Sequence, residues 1–406
     1  GYAFPVEFPN QTGFALTDAG DHYFKAGFNT VSVIKNWGWT DIDAVEIYPA
    51  TDRQFNIAPG LVDPEADSGA MALYEMLKLQ FGHRIISGQT HHYFTDLESI
   101  AGRTPLLRAG DFASYTEGYA YLWSGGGHIL GKDPDGSSEQ LIDWHQASEG
   151  KGIISFQWHW HSPSGGEPSA NNFYTENTTF DIRQAVTPGT PEYELIIRDI
   201  DDIAIELAKF RDAGIPILWR PLHEAGGGWF WWGAKGPEPC KALYNIMFDR
   251  MVNHHGLHNL IWVWSTPEES WYPGNDKVDI IGHDSYPGTY NYGNQKHAFD
   301  LLQDLTSGEK LIAMTENGPI PDPDACLDTG APWLYFMSWA DLVTQQNSID
   351  HIKSVFSHTD VLTMDSENVR TGTDWRSSLY PEDWKPGYSD AHGMFLHDFS
   401  HAVYRG

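Results

Sequence analysis

Eight short apolar runs recur along the chain, and amphipathic stretches separate several of them. Runs of about five residues rich in Ile, Leu, Val and aromatic side chains predict buried β-strands. The runs are residues 84–88, 105–109, 152–156, 215–219, 260–264, 278–282, 310–314 and 333–337. Eight β/α repeats predict an α/β protein built as a closed parallel (β/α)8 TIM barrel, with functional residues on the loops that follow the strands.

Two amphipathic stretches support this fold class. Residues 70–81 precede the first run, and residues 193–213 lie between the third and the fourth. An open doubly wound sheet is the alternative arrangement of such units. The Gly-x-Gly-x-x-Gly turn that is typical of that sheet follows none of the early runs, which favours the barrel.

The pattern divides the chain into three parts. Residues 1–60 form a predicted short antiparallel β-rich extension, because residues 30–34 and 43–48 alternate as half-buried strands do. Residues 61–365 form the predicted barrel. Residues 366–406 are turn-rich and aromatic, which predicts a C-terminal tail packed on the barrel.

The charge balance excludes whole classes of partner. The chain has 25 Lys and Arg against 55 Asp and Glu, a net charge of −30 at pH 7. This charge repels phosphate backbones and anionic lipid, so we expect no nucleic-acid and no membrane partner. No apolar run reaches the roughly 18 residues of a membrane span. A neutral ligand fits the charge.

The cysteines and the first residues bear on the compartment. Cys240 and Cys326 are the only cysteines, too few for a disulfide framework. Two buried free thiols are favoured over one bridge. The sequence opens without a basic and then apolar leader, so we expect that it carries no signal peptide.

The segment at residues 219–233 follows the fourth run and carries the first chemical signal. Glu224 lies next to His223 and is followed by four large aromatic rings at residues 229–232. A carboxyl group among rings loses water and holds its proton near neutral pH, and aromatic rings stack on the C–H faces of sugars. The segment therefore favours cleavage of a sugar polymer. A buried Trp cluster with one hydrogen-bonded Glu is the alternative.

A glycosidase needs a second carboxyl group, and Glu316 at the end of the seventh run supplies one. A Glu that caps the next helix is the alternative. Strands four and seven lie across the barrel mouth from each other, which would bring the two carboxyls to about 5–5.5 Å, the separation of a retaining mechanism. Arg220 could hold Glu316 in its charged form, although a purely structural arginine fits as well.

The motifs WRPLHE at residues 219–224, GWFWWG at residues 228–233 and TENG at residues 315–318 resemble glycoside hydrolase family 26. The resemblance runs from about residue 61 to about residue 365. It implies a retaining glycosidase on a (β/α)8 barrel in a family dominated by β-mannanases, with no cofactor. It also implies that Glu224 is the general acid/base and Glu316 the nucleophile.

The same resemblance assigns supporting residues. It implies that Tyr286 hydrogen-bonds the nucleophile, that His223 orients the site and that His159 contacts the sugar beside the cleavage point. Trp339 matches a platform under the sugar that is cleaved, and Trp229 matches a ring on the leaving-group side. Asp111 resembles a position near the cleft. Core packing is at least as good an interpretation for Trp231, Trp232, Trp262 and Trp264.

A metal site is the alternative interpretation of His159 and His161, which share one strand face. Barrel metallohydrolases add His and Asp ligands at later strand ends, whereas strands four and seven end in Glu here. We therefore expect no catalytic metal. At the N-terminus, residues 27–33 and 37–43 resemble the last strands of carbohydrate-binding module family 35, although residues 1–60 are too few for a whole module.

The expected function is a retaining β-1,4-mannanase that acts on mannan, glucomannan or galactomannan. We expect the protein to be secreted, extracellular or periplasmic, because its substrate is a polysaccharide. We also expect a monomer. A mixed-linkage β-glucanase, a β-1,3-xylanase and an inactive mannan-binding barrel are the alternatives. The pattern leaves open whether cleavage is internal or from a chain end, because insertions at residues 123–144 and 162–191 could shape the cleft either way.

Overall fold

A computed structural model describes residues 54–115, 120–122, 127–129, 136–166 and 171–366. Before residue 54 it describes only residues 17, 19, 30–34, 41–42 and 44–47.

Eight parallel strands close into a barrel. Each strand pairs with the next one along the chain, and the eighth pairs with the first. Each contains most of one of the eight predicted runs, so the predicted (β/α)8 barrel is confirmed. The strands are β1 (Ile85–Thr90), β2 (Leu107–Asp111), β3 (Ile153–Gln157), β4 (Ile217–Arg220), β5 (Leu260–Trp264), β6 (Ile280–Ser285), β7 (Leu311–Asn317) and β8 (Tyr335–Ser338).

Helices follow the strands and cover the barrel, and both predicted amphipathic stretches are helical. Their first turns are capped by side chains: Asp67 accepts from the Ala70 N–H and Thr190 from the Tyr193 N–H. The helices are α1 (Ser68–Gln80), α2 (Phe94–Ala101), α3 (Ser137–Ala147), α4 (Ile182–Ala185), α5 (Pro191–Asp212), α6 (Pro237–Asp249), α7 (Lys296–Leu305), α8 (Pro323–Asp328), α9 (Leu342–Gln345) and α10 (Ile349–Ser357).

Shorter elements complete the described chain. A strand at Val361–Leu362 pairs in parallel with β1, and Ala120–Leu122 pairs antiparallel with Gly127–Ile129. A π-helical turn, Arg250–His254, continues α6. Single 3-10 turns lie at Ala113–Tyr115, Thr175–Asn177, Ala225–Gly227 and Glu269–Trp271.

The core lies inside the barrel and between its strands and helices. Strands β3, β4, β5 and β7 are buried along their whole length, as expected where helices cover the outside of a parallel sheet. Trp231, Trp232, Trp262 and Trp264 are fully buried, which confirms that they are core residues. Cys240 and Cys326 are buried free thiols.

The parts outside the barrel are described only in fragments. Residues 30–34 and 44–47, from the two predicted N-terminal strands, are exposed and lie in neither helix nor strand. The antiparallel extension therefore stays a prediction, and the predicted tail lies outside the described residues from residue 367 onwards. Within the described part, no helix combines the length and the apolar character needed to cross a membrane.

Gly110 on β2 tests how tightly the barrel wall is packed. A Cβ at this position would clash with the Phe156 ring and would lie 2.7 Å from Leu141 on α3. We expect Gly110→Ala to lower the free energy of unfolding by about 1–3 kcal/mol, because the core must shift to admit a methyl group. Denaturant unfolding measures the change.

Gly60→Ala is the matched control. The nearest atom to its added Cβ is 4.0 Å away, in Met71, so this variant should unfold as the wild type does. Equal stability of the two variants would show that the barrel wall at Gly110 is loosely packed.

Candidate active site

Glu316 lies at the barrel mouth because it is the last residue but one of β7. Its carboxylate accepts from Arg220 at one oxygen, with Nη2 to Oε2 at 2.6 Å, and from the Tyr286 hydroxyl at the other. The side chain is buried. A register shift between β6 and β7 after His283 sets Asp284 opposite Glu316 and brings two carboxylates together.

Arg220, at the end of β4, is the cation that both carboxylates share. Its Nη1 donates to Asp284 Oδ2 at 2.8 Å, and the side chain is almost wholly buried. Burial by itself lowers its pKa, but the charges of Asp284 and Glu316 raise the pKa above the ordinary value. The same guanidinium also donates to Ser265 Oγ and to Gln157 Oε1. The site therefore holds a fixed positive charge between two negative ones.

Glu224 lies just past β4 on a strained turn. Leu222 and Glu224 both have φ of 53°, in the left-handed region that residues other than glycine rarely adopt. Hydrogen bonds hold the turn in place: the Ala225 N–H donates to Thr266 Oγ1 at 2.9 Å, and Trp232 Nε1 donates to the His223 carbonyl at 2.9 Å. The turn directs the Glu224 carboxyl to the mouth.

The two glutamates differ in their surroundings. Burial, followed by the charges of Asp284 and Glu316, raises the pKa of Glu224 to about 8. Burial also raises the pKa of Glu316, but the Arg220 charge and the Tyr286 hydroxyl oppose that rise. Glu224 has an indole N–H for a partner, from Trp229 Nε1 at 3.0 Å to Oε2. Glu316 thus receives hydrogen bonds from a cation and a hydroxyl, whereas Glu224 receives one from a neutral indole.

Tyr286 follows β6 and reaches Glu316 with its hydroxyl. Burial and then the Glu316 charge raise the pKa of Tyr286, so the hydroxyl stays protonated and acts as a donor. Its side chain is 42% exposed, so the ring also forms part of the open mouth.

His159, His223 and Asp111 form a chain next to this cluster, joined to it by Gln157, which accepts from Arg220 and donates to Asp111. His159 Nδ1 lies 2.5 Å from Asp111 Oδ2, and its Nε2 lies 3.2 Å from His223 Nε2. Burial, followed by His159 and Arg220, lowers the pKa of His223 well below its ordinary value, so His223 is neutral. Burial alone would raise the pKa of Asp111, but its contacts with His159 lower it. Asp111 therefore orients His159.

Two predicted platform rings border this site to different degrees. Trp229 is 47% exposed and hydrogen-bonds Glu224. Trp339, after β8, is half-buried, and its ring centroid lies 5.7 Å from that of His159. The structure thus brings all nine predicted site residues to one end of the barrel. They are Asp111, His159, Arg220, His223, Glu224, Trp229, Tyr286, Glu316 and Trp339.

Sequence reasoning missed three polar partners of Arg220: Gln157, Ser265 and Asp284. Each lies at or just past the end of a strand, and that position was the signal that could have found them. Asp284 was the most visible, because it stands two residues before Tyr286.

The structure also bears on the metal interpretation. His161 contacts Asn172 Oδ1, whereas His159 contacts Asp111, so the two imidazoles take different partners. Across the described part of the chain, no group of three or more His, Cys, Asp or Glu side chains could hold a metal ion.

Comparisons with known proteins place these residues in a family context. The model of glycosyl hydrolase family 26 matches residues 62–366. The chain is 38% identical over 376 residues to a mannan endo-1,4-beta-mannosidase of Thermothelomyces thermophilus, covering 90% of this chain and 75% of that protein. It is 36% identical to mannan endo-1,4-beta-mannosidase A of Piromyces sp, covering 89% of this chain and 60% of that protein. The chain thus spans less than two thirds of the Piromyces relative.

Solved structures show the same likeness. The crystal structure of Podospora anserina GH26-CBM35 beta-(1,4)-mannanase superposes with a TM-score of 0.70 at 39% identity, covering 78% of this chain and 70% of that one. A beta-mannanase from a symbiotic protist of the termite Reticulitermes speratus, complexed with gluco-manno-oligosaccharide, gives a TM-score of 0.68 at 34% identity, covering 77% and 98%.

Removing the shared cation should destabilise the fold. Arg220→Met leaves the Glu316 and Asp284 carboxylates buried without their counter-charge, so we expect the free energy of unfolding to fall by about 3–5 kcal/mol. Denaturant unfolding at neutral pH measures the loss.

Arg183→Met is the matched control, because Arg183 pairs with Asp181 on the surface. Its unfolding transition should stay at the wild-type position. If Arg220→Met unfolds at the same denaturant concentration as Arg183→Met, the barrel mouth tolerates the two carboxylates without the guanidinium.

Proposed function

The chain belongs to glycosyl hydrolase family 26, and we propose that it is a retaining endo-β-1,4-mannanase that hydrolyses mannan, glucomannan or galactomannan. The observation that carries the proposal is the unequal pair in the barrel mouth: Glu316 with a guanidinium and a hydroxyl, Glu224 with an indole. Two carboxyls of opposite protonation are what double displacement at a sugar carbon requires. The names of the relatives supply the substrate and the endo mode of action.

In the first step, a Glu316 oxygen attacks the sugar C1 while the bond from C1 to the glycosidic oxygen breaks. Glu224 gives its proton to the departing oxygen, and a glycosyl ester of Glu316 remains. In the second step, Glu224, now a carboxylate, takes a proton from water, and the oxygen of that water attacks C1 and releases Glu316. Arg220 and Tyr286 stabilise the negative charge on Glu316 before the first step and after the second.

The other predicted residues take supporting roles in this proposal. Trp339 offers a flat face to the sugar that is cleaved, and His159, held by Asp111, contacts the sugar beside it. His223 stays neutral and contacts His159 through its Nε2. It therefore adds a hydrogen-bonding group without adding a fixed charge. Trp229 serves the leaving-group side through its bond to Glu224.

The choice of glycan is part of the proposal. The termite-protist relative was solved with a gluco-manno-oligosaccharide, which supports glucomannan as a substrate beside mannan. If the enzyme is instead a mixed-linkage β-glucanase or a β-1,3-xylanase, its substrate is mixed-linkage β-glucan or β-1,3-xylan in place of mannan. Product analysis on all four glycans separates them, and binding to mannan without release of reducing ends would favour an inactive binding barrel.

We also infer a setting for this activity. A mannan polymer is met outside the cell membrane, which supports a secreted or periplasmic enzyme. The net charge of −30 repels second copies of the chain, which supports a monomer, and it does not oppose a neutral polysaccharide. We also propose that residues 1–60 are a partial carbohydrate-binding-module-like extension, because their sequence pattern resembles part of such a module.

The two glutamates should respond differently to removal. Glu316→Ala should abolish hydrolysis of mannan and of aryl mannosides, because no group remains to attack C1. Glu224→Ala should lower kcat/KM on mannan by about 10²–10⁴-fold but spare the first step on a dinitrophenyl mannoside, whose leaving group needs no proton. Reducing-end release and the burst of dinitrophenol measure the two steps.

Glu269→Ala is the control, since Glu269 is an exposed glutamate in the segment that follows β5. Its kinetics should match the wild type. Substantial mannan turnover by Glu316→Ala would contradict its assignment as nucleophile.

The pH profile should report the protonation of Glu224. Since Glu224 must carry a proton in the first step, kcat/KM should fall above about pH 8, where the free enzyme loses that proton. Trp229→Phe removes a hydrogen bond that favours the charged carboxylate, so the pKa should rise and the alkaline limb should move to higher pH. Initial rates at low substrate concentration between pH 5 and pH 10 measure both profiles. A limb that moves to lower pH in Trp229→Phe would contradict the assignment.

A further inference from the structure

Tyr174 lies on the long loop after β3, and that loop is joined to the one that carries Trp229. The Thr175 N–H donates to the Trp229 carbonyl at 2.7 Å, and the Trp231 N–H donates to the Phe173 carbonyl at 3.1 Å. Tyr174 and Phe230 form an antiparallel bridge between these bonds. The backbone therefore fixes Tyr174 relative to the residues that follow Glu224.

The Tyr174 ring has a rigid backing and an open side. It stacks on Phe230 at a centroid distance of 5.5 Å and an interplanar angle of 19°. Phe230 is buried and stacks in turn on Trp232 at 4.4 Å. Tyr174 itself is 36% exposed, so its uncovered area faces away from this stack. A ring already held in place loses little conformational entropy when a flat partner binds it.

Two exposed rings thus stand near Glu224. Trp229 donates its indole N–H to the carboxyl at 3.0 Å. The pKa of Tyr174 is raised by burial and then by the charge of Glu224, which agrees with a hydroxyl on the Glu224 side of the loop. A sugar leaving group that accepts the proton of Glu224 would therefore lie beside both rings.

We propose that Tyr174 is a specificity-determining residue that, with Trp229, forms an aromatic platform for the sugars of the leaving group. The inference rests on the proposed function, because it takes Glu224 as the acid that protonates the leaving oxygen. Pyranose faces stack on aromatic rings, and an uncharged sugar needs no ionic partner there. The loop after β3 therefore selects for substrates that continue beyond the cleaved bond. A Tyr174 that merely covers Phe230 is the opposing interpretation.

The test compares a substrate that has sugars on the leaving side with one that has none. Tyr174→Leu keeps apolar contact with Phe230 but loses the flat ring, and Tyr174→Phe keeps the ring. For Tyr174→Leu we expect kcat/KM on mannopentaose to fall about tenfold, while hydrolysis of dinitrophenyl β-mannobioside is unchanged. Tyr174→Phe should retain both activities. Cleavage of mannopentaose by Tyr174→Leu should also shift toward release of single mannose from the leaving end.

Tyr193→Leu, at the start of α5 on the outside of the barrel, is the matched control and should leave both substrates unaffected. Equal losses on the two substrates, or full activity of Tyr174→Leu on mannopentaose, would overturn the platform. If thermal unfolding shows that Tyr174→Leu is not folded, Tyr174→Trp replaces it in the test. Products from mannopentaose that equal those of the wild type would then overturn the platform, and a shifted product pattern would support it. Failure of the wild type to cleave mannopentaose is a separate result, which would contradict the proposed function itself.

Discussion

The buried guanidinium of Arg220 is the contact on which the barrel mouth depends. It binds the carboxylates of Glu316 and Asp284 at 2.6 and 2.8 Å. Two carboxylates out of water destabilise a fold strongly unless a cation and further donors compensate them. Arg220 supplies the cation, and its partners come from β3, the segment after β5, β6 and β7. Five consecutive parts of the barrel are thereby held in one arrangement.

One cation for two carboxylates leaves a net negative charge beside Glu224. That excess charge is a cause of the raised pKa of Glu224, together with burial among rings. The different surroundings of Glu224 and Glu316 therefore depend on where Arg220 lies. Glu224 stands on a turn with two left-handed residues, Leu222 and Glu224, a conformation that costs of order 1–3 kcal/mol at each. The turn persists because buried side chains bond its backbone.

The fold could be predicted from sequence because barrel strands are buried on both sides and read as short apolar runs. Glu224 and Glu316 could be predicted because the same runs end beside them. Asp284 could not be assigned, since its place opposite Glu316 depends on a register shift that leaves no trace in hydrophobic periodicity. Tyr174 lies in a long loop without periodicity, and only the backbone pairing with Phe230 brings it to the site.

The aromatic segment after Glu224 shows how neighbouring rings acquire different roles. Three of its four rings are indoles, and each N–H has its own acceptor. Trp231 Nε1 donates to the Trp160 carbonyl at 2.7 Å, Trp232 Nε1 to the His223 carbonyl, and Trp229 Nε1 to Glu224 itself. The first two bonds join indoles that are fully buried, whereas the third belongs to Trp229, which is nearly half exposed at the mouth. The buried indoles thus limit the motion of the exposed one. A ring held in this way keeps its hydrogen bond to Glu224 while part of its surface remains exposed.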